Sequence, residues 1–259
     1  MSTKNRTVIG LGDFQINRHD PLWMKKTLRC IKDTQPDIIC LTGDESDNSS
    51  LGRHSRGLAE EFESNLQEQL DITSKYFGDL RAAAPNARIY MAYSNHVEWF
   101  TRAIETRLPG FRTLRRLQIE ELYDLLDHGI EYKREIFEFL PGYLLAHGHQ
   151  FHFTAKSHMN QGVAAVQRLG KSLLAGHCHQ AGMRSVFIGH EGRGRTHVYT
   201  NAGCGMDFNQ AMATNGGYIT GASPDWSHAL VYIERINETN HTQLVLAHEN
   251  KFRLHGVSY

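Results

Sequence analysis

Two strands that each end in Gly-Asp constrain this chain more than any other feature. RTVIGLGD (residues 6–13) is followed by a helical pattern over DPLWMKKTLRCIKDT (20–34) and by a second strand, DIICLTGD (37–44), a strand–helix–strand opening of the α/β kind. In open α/β sheets the ligand crevice lies beyond the carboxyl ends of the strands, so Asp13 and Asp44 are expected to project into one crevice. The polar stretch DESDNSSLGRHSRG (44–57) reads as a loop at the same edge, well placed to meet a substrate.

The same pattern recurs along the chain. A helical segment is expected from about Leu58 to Ala84, and a third strand, ARIYMAY (87–93), runs into SNH (94–96). Helical periodicity resumes through EWFTRAIETRL (98–108) and TLRRLQIEELYDLLDHG (113–129). A strand at GYLLAHGHQF (142–151), a helix at HMNQGVAAVQRLG (158–170) and a strand at KSLLAGHCHQ (171–180) come next. MRSVFIGH, THVYTNAG, HALVYIE and TQLVLAHE then alternate like antiparallel strands, with EGRGR (191–195) as a hairpin turn. No internal repeat or Pro-rich linker marks a boundary, so one domain over 1–259 is expected.

Composition excludes some functions. Twenty-eight Lys and Arg balance twenty-eight Asp and Glu, which leaves no global positive field to draw in a long DNA duplex or an anionic membrane. The four cysteines (Cys30, Cys40, Cys178, Cys204) form no CxxC pair and read as reduced thiols, which points to the cytoplasm. No stretch approaches the roughly 20 apolar residues of a membrane span, and the first ten residues lack a signal-peptide apolar run. The unusual count is sixteen histidines, which together with the placed aspartates directs attention to a metal site.

Five short motifs stand where a loop leaves a strand: GDFQ (Asp13, Gln15), GDESD (Asp44, Asp47), SNH (Asn95, His96), AHGH (His147, His149) and GHCH (His177, His179). In extended backbone, alternate side chains share a face, so Asp13 pairs with Gln15, with Phe14 turned to the core, and His177 pairs with His179 opposite Cys178. His147 and His149 share a face as well, and either could be the ligand. The aromatic residues of VEWFTRAI read as core at helical spacing.

The order of these motifs resembles that of the calcineurin-like metallophosphoesterase family, over residues from about 8 to 205. Phage and prophage members are the most similar, through the D-x-Q first motif, the RHDP stretch and a helix rich in small residues before GHCHQAG; a phage-encoded chain would work in the host cytoplasm. The resemblance implies an α/β fold, a two-sheet β-sandwich flanked by helices, with two divalent cations at one edge. It further implies that one cation takes Asp13, His179 and the residue at position 15, that the other takes Asn95, His147 and His177, and that Asp44 bridges them. The family pattern favours His147 over His149, and His96 would stand beside the substrate phosphate without binding metal.

The chemistry agrees with those roles. Two cations about 3.5–4 Å apart neutralise a phosphodiester and activate water, a bridging carboxylate such as Asp44 holds them together, and a histidine such as His96 suits protonation of a leaving oxygen near neutral pH. Gln15 departs from the histidine usual in the family, and its amide oxygen makes a harder site that favours Mn²⁺ or Mg²⁺ over Zn²⁺; Fe²⁺ and Ni²⁺ are the other candidates. Ser94 replaces a usual glycine. Arg18, His19, Arg53, His54 and Arg56 lie in loops near this edge as candidate phosphate or base contacts. The expected activity is hydrolysis of a phosphodiester, a cyclic nucleotide first. A nuclease acting on DNA or RNA ends is the rival enzyme, and a non-catalytic protein-binding scaffold the rival from another class.

Overall fold

The computed structural model describes residues 5–52, 55, 57, 65–190, 193–212 and 225–259. Its first sheet has six strands in the order β11-β10-β1-β2-β3-β4: β1 (Arg6–Leu11), β2 (Ile38–Leu41), β3 (Arg88–Ala92), β4 (Ile130–Lys133), β10 (Ala229–Ile236) and β11 (Thr239–Leu246). β1 to β4 run parallel, with Val8 opposite Ile38 and Ile89 opposite Ile130, and β10 closes antiparallel on β1. The second sheet, ordered β5-β6-β7-β9-β8, is built from β5 (Phe137–Leu140), β6 (Tyr143–Leu145), β7 (Ser172–Ala175), β8 (Gly182–His190) and β9 (Arg193–Asn201). A two-residue hairpin of β12 (Arg253–Leu254) and β13 (Val257–Ser258) ends the chain.

The unbroken apolar runs of β1 and β2 follow from burial on both faces. Val8, Ile38, Cys40 and Tyr90 point into the sandwich, where they meet Tyr143, Leu145 and Leu174 of the second sheet. Ile9, Leu11, Ile39, Leu41 and Met91 point the other way and pack on the helices α1 (Pro21–Thr34) and α2 (Leu66–Ala83) through Trp23, Ile31, Phe77 and Leu80. Asp20 starts α1 by accepting hydrogen bonds from the N–H groups of Leu22 (2.8 Å) and Trp23 (2.9 Å), with Pro21 preset for the first turn. The outer face of the second sheet is covered by α4 (His158–Leu169), and α3 (Asn95–Arg107) leaves the end of β3. The architecture is therefore the two-sheet sandwich flanked by helices that the resemblance implies.

Some local expectations fail. The segment 113–129, read as helical, forms only isolated turns at Arg115–Leu117 and Ile119–Leu122 before β4. Asp124 and Gly129 adopt positive φ (50° and 62°), and burial of Leu125 beside a 72%-exposed Leu126 breaks the 3.6-residue period. The strand expected over 142–151 stops at Leu145, and His149–Phe151 is a 3₁₀ turn. β4 and β5 are not among the strands that the sequence pattern predicts. In the 58–84 segment the described helix starts at Leu66; residues 58–64, and the first two residues of the expected 191–195 turn, lie outside the described residues. Among the described residues no helix is long and apolar enough to cross a membrane.

The small-residue helix α4 owes its close approach to Gly162, since a Cβ there would overlap the ring of the fully buried Tyr199. Alanine improves helix propensity by about 1 kcal/mol, whereas overpacking a rigid ring costs roughly 1–3 kcal/mol, so the clash should decide the sign. Gly162→Ala should lower the thermal midpoint; an unchanged or higher midpoint would show that α4 stands off the sheet.

Candidate metal centre

The five motifs converge at one edge of the sandwich, each carried by a strand end. Asp13 and Gln15 follow β1, Asp44 follows β2, Asn95 and His96 open α3 after β3, His147 follows β6, and His177 and His179 follow β7. Asp13, Gln15 and His147 are fully buried, and Asp44 nearly so. Pairing does not arise from extended backbone as the spacing suggests. Asp13 (φ 53°), Gln15 (50°), Asp44 (54°), His177 (75°) and His179 (60°) all sit in the left-handed region, which aims successive polar side chains inward while Phe14 and Cys178 still reach the core.

One group of ligand atoms is compact. Single donor atoms of Asp44, His147 and His177 lie within 4.8 Å of one another, an arrangement able to hold a metal ion. His147 Nε2 is 3.1 Å from Asp44 Oδ2, 2.9 Å from Asn95 Oδ1 and 3.2 Å from His177 Nδ1. Its Nδ1 donates to the Thr42 carbonyl at 2.9 Å, the outer bond that orients a ligating imidazole. Burial opposes a charge on His147, but the adjacent Asp44 outweighs it and lifts the imidazole to about 9. Burial also works against an ionised Asp44, which His147 and His96 together hold well below the usual carboxylate range. Burial, reinforced by His147, depresses His177 to about 3, so its ring is neutral.

The second group surrounds Asp13. His179 Nε2 lies 3.4 Å from Asp13 Oδ1, and the His177 N–H donates to both Asp13 oxygens at 3.0 and 2.9 Å. Gly176 makes that approach feasible, because a Cβ would collide with Asp13 Oδ2. Gln15 presents Nε2 to Asp44 Oδ2 at 3.4 Å, while its Oε1 is buried without a hydrogen-bond partner. A buried amide oxygen left in that state costs about 1–3 kcal/mol, and a cation beside Asp13 would satisfy it. The donor set therefore fits divalent cations, with mixed carboxylate, amide and imidazole ligands.

His96 occupies the rim. Its Nδ1 bonds the Asp47 carbonyl, its N–H donates to Asp44 Oδ1 at 3.2 Å, and its Nε2 stands 3.6 Å from Asp44 Oδ2. Ser94, the departure from glycine, accepts from the Asp44 N–H at 3.0 Å and so braces the Asp44 backbone.

Other expected contacts are placed differently. Arg18 pairs with Asp47 at 3.1 Å, and His19 forms a backbone bridge with Met206. Among the described residues neither lines the open cleft of about 410 Å³ above the metal centre; Arg53, His54 and Arg56 lie outside the described residues. His149 stands beside His147, ring centroids 5.3 Å apart, outside the compact group, and is lowered to about 4 by burial and by His147. Burial pushes the Cys178 thiol up to about 12, as an inert core residue requires. Sequence reasoning missed Trp226 and took Trp99 for core, yet both line the cleft. It also passed over Glu45, whose carboxyl is fully buried and held well above the ordinary range by burial and by Asp13.

No family model matches the chain. It is similar to the Gene 54 protein of Mycobacterium phage L5, 25% identical over 231 residues that make up 86% of each chain. A second relative is the Gene 54 protein of Mycobacterium phage D29, 26% identical over 226 residues and again 86% of each chain. Similar solved structures include Vacuolar Protein Sorting 29 from Cryptosporidium parvum, at 13% identity and a TM-score of 0.44 over 99% of this chain and 96% of that one. Chaetomium thermophilum Vps29 aligns at 10% identity and a TM-score of 0.46 over 98% of both chains.

With His147 at about 9, the metal-free protein near pH 7.5 holds a proton on the nitrogen that a cation needs. Cation binding should then release about one proton from this site, and affinity should rise with pH up to about 9. Titration calorimetry in buffers of different ionisation enthalpy reads the proton directly; heats independent of buffer would mean that His147 is neutral before metal arrives.

Proposed function

We propose that the protein is a binuclear metal-dependent phosphodiesterase acting on a nucleotide, carried by one domain and working in the cytoplasm of a phage host. The observation that supports this reading is the convergence of Asp13, Gln15, Asp44, Asn95, His147, His177 and His179 at one sandwich edge with His96 beside them. Asp13, Gln15 and His179 would hold one cation, Asn95, His147 and His177 the other, and Asp44 both. Two bound cations supply charge neutralisation of the phosphate oxygens and acidification of water. Their identity is proposed as Mn²⁺, because amide and carboxylate oxygens make the Gln15 side hard.

The chain's own contribution to turnover lies at His96. Its Nδ1 is anchored on the Asp47 carbonyl, which fixes the ring and leaves Nε2 3.6 Å from Asp44 Oδ2, in a residue that lines the cleft. As water attacks phosphorus, its own proton released to solvent, the bond to the ester oxygen breaks and the His96 Nε2 proton passes to that departing oxygen. The Arg18–Asp47 pair braces the loop that supplies the anchoring carbonyl.

Chelated protein should be inactive and should recover with Mn²⁺ more readily than with Zn²⁺, assayed on bis-p-nitrophenyl phosphate, cyclic nucleotides and single-stranded DNA. Activity that survives rigorous chelation would sink the reading, and a preference for DNA would favour the nuclease. His96→Ala should keep its metals yet lose ~10²–10⁴-fold on esters with poor leaving groups, and much less on p-nitrophenyl esters, which need little protonation. Loss of metal, or equal slowing of both ester classes, would remove His96 from the acid role. Gln15→His should tighten the cation at Asp13, measured by metal competition, because imidazole binds transition metals better than an amide; unchanged affinity would place Gln15 outside the coordination shell.

A further inference from the structure

The cleft above the metal centre has aromatic walls. Beyond its Asp and His floor, the space of about 410 Å³ is lined by Trp99, Phe153 and Trp226 with Thr154, Ala155 and Cys178, and no Lys or Arg is among its described lining residues. Trp99 lies three residues after His96 on α3, so its indole falls over the imidazole, centroids 3.9 Å apart and 32° from parallel. Trp226, just before β10, stands edge-on to His179, centroids 4.5 Å apart and 68° between planes. The helix buries His96, Val97 and Phe100, whereas Trp99 is only half-buried, as is Trp226. One indole therefore flanks the residue proposed to protonate the leaving group, and the other flanks a proposed metal ligand from the opposite sheet.

Large half-buried indoles beside a charged floor suit a substrate whose phosphate goes to the floor and whose remainder is flat and aromatic. An anionic or sugar remainder would instead call for cations or hydrogen-bond donors along the walls. A nucleobase fits, because every base has a π-face to stack on an aromatic side chain, and the volume suits a single nucleotide unit. We propose that Trp99 and Trp226 form a base-stacking subsite, so that the substrate is a nucleoside phosphodiester held by its base as well as its phosphate. This inference rests on the phosphodiesterase reading and deepens it.

The test compares adenosine 5′-monophosphate with ribose 5-phosphate on the Mn²⁺-loaded full-length protein, by calorimetry and by intrinsic tryptophan fluorescence. The base should improve affinity roughly 5- to 100-fold, the range expected of one stacked base, and should quench fluorescence. Trp99→Leu and Trp226→Leu should shrink that ratio while ribose 5-phosphate binds as before, and Trp99→Phe and Trp226→Phe should restore part of it. Metal content by elemental analysis separates these outcomes from loss of the site. A wild-type protein that binds the two ligands equally, or binds neither, overturns the subsite, as does a ratio untouched by all four substitutions. Hydrolysis of bis-p-nitrophenyl phosphate by the same wild-type preparation distinguishes the two failures: hydrolysis without base preference defeats the subsite alone, whereas base preference without hydrolysis defeats the phosphodiesterase reading.

Discussion

The contact on which this architecture turns is the meeting of Asp44 and His147 at 3.1 Å, because one belongs to each sheet. The division holds throughout the site. Asp13, Gln15, Asp44 and Asn95 come from the first sheet and its connections, and His147, His177 and His179 from the second. Carboxylates on one sheet thus face imidazoles on the other, and the Asp44–His147 contact joins the two sheets at this edge of the sandwich. The adjacent Asp44 carboxylate raises His147 to about 9, so near neutral pH the contact pairs a carboxylate with an imidazolium.

Such a site demands unusual backbone. Five of its residues hold positive φ, each a conformation that costs on the order of 1 kcal/mol or more in a non-glycine residue. The loops after β1 and β2 sustain it by pairing with each other: Asp13 N–H donates to Gly43 O at 2.9 Å, Gln15 N–H to Asp44 O at 3.0 Å and Ile16 N–H to Glu45 O at 2.7 Å. The parallel ladder thus continues past the strands as a chain of irregular bonds. Asp13 and Asp44 are aimed by that frame, so the carboxylate positions rest on main-chain hydrogen bonds more than on side-chain packing.

Those features explain what was legible in the sequence. Gly-Asp at the ends of two apolar runs marks both a buried parallel strand and an inward carboxylate, and GHCH marks two imidazoles, so the α/β class and the polar side chains that gather at the strand ends can be read from short windows. Which partner each side chain meets cannot be read so. His177 turns to His147 while His179 turns to Asp13, a divergence set by left-handed φ at both residues that no alternation rule contains. β4 and β5 were illegible because, unlike the equally short β2, they are not unbroken apolar runs: Glu131, Lys133 and Glu138 interrupt them, and β4 follows isolated turns whose apolar residues imitate a helix. Trp226 carried no local signal, since only the fold brings the segment before β10 to the edge where the five motifs meet.

Gln15 joins these threads. An imidazole places its two nitrogens on opposite sides of a ring, so a histidine that coordinates through one can steady a neighbour only in another direction. An amide carries donor and acceptor on a single carbon. In this site Nε2 faces the Asp44 carboxylate at 3.4 Å while Oε1 is left over in the buried interior, so one side chain can both brace the proposed bridging group and offer an oxygen to a cation. Replacing nitrogen by a neutral oxygen weakens affinity for softer metals, yet nearby charge offsets part of that loss for hard ones, since Asp13 and Asp44 lie close by and Glu45 adds a third carboxyl able to ionise once a cation is near. The departure from histidine is thus compatible with the proposed metal centre, whose selectivity it would turn toward oxygen-loving ions.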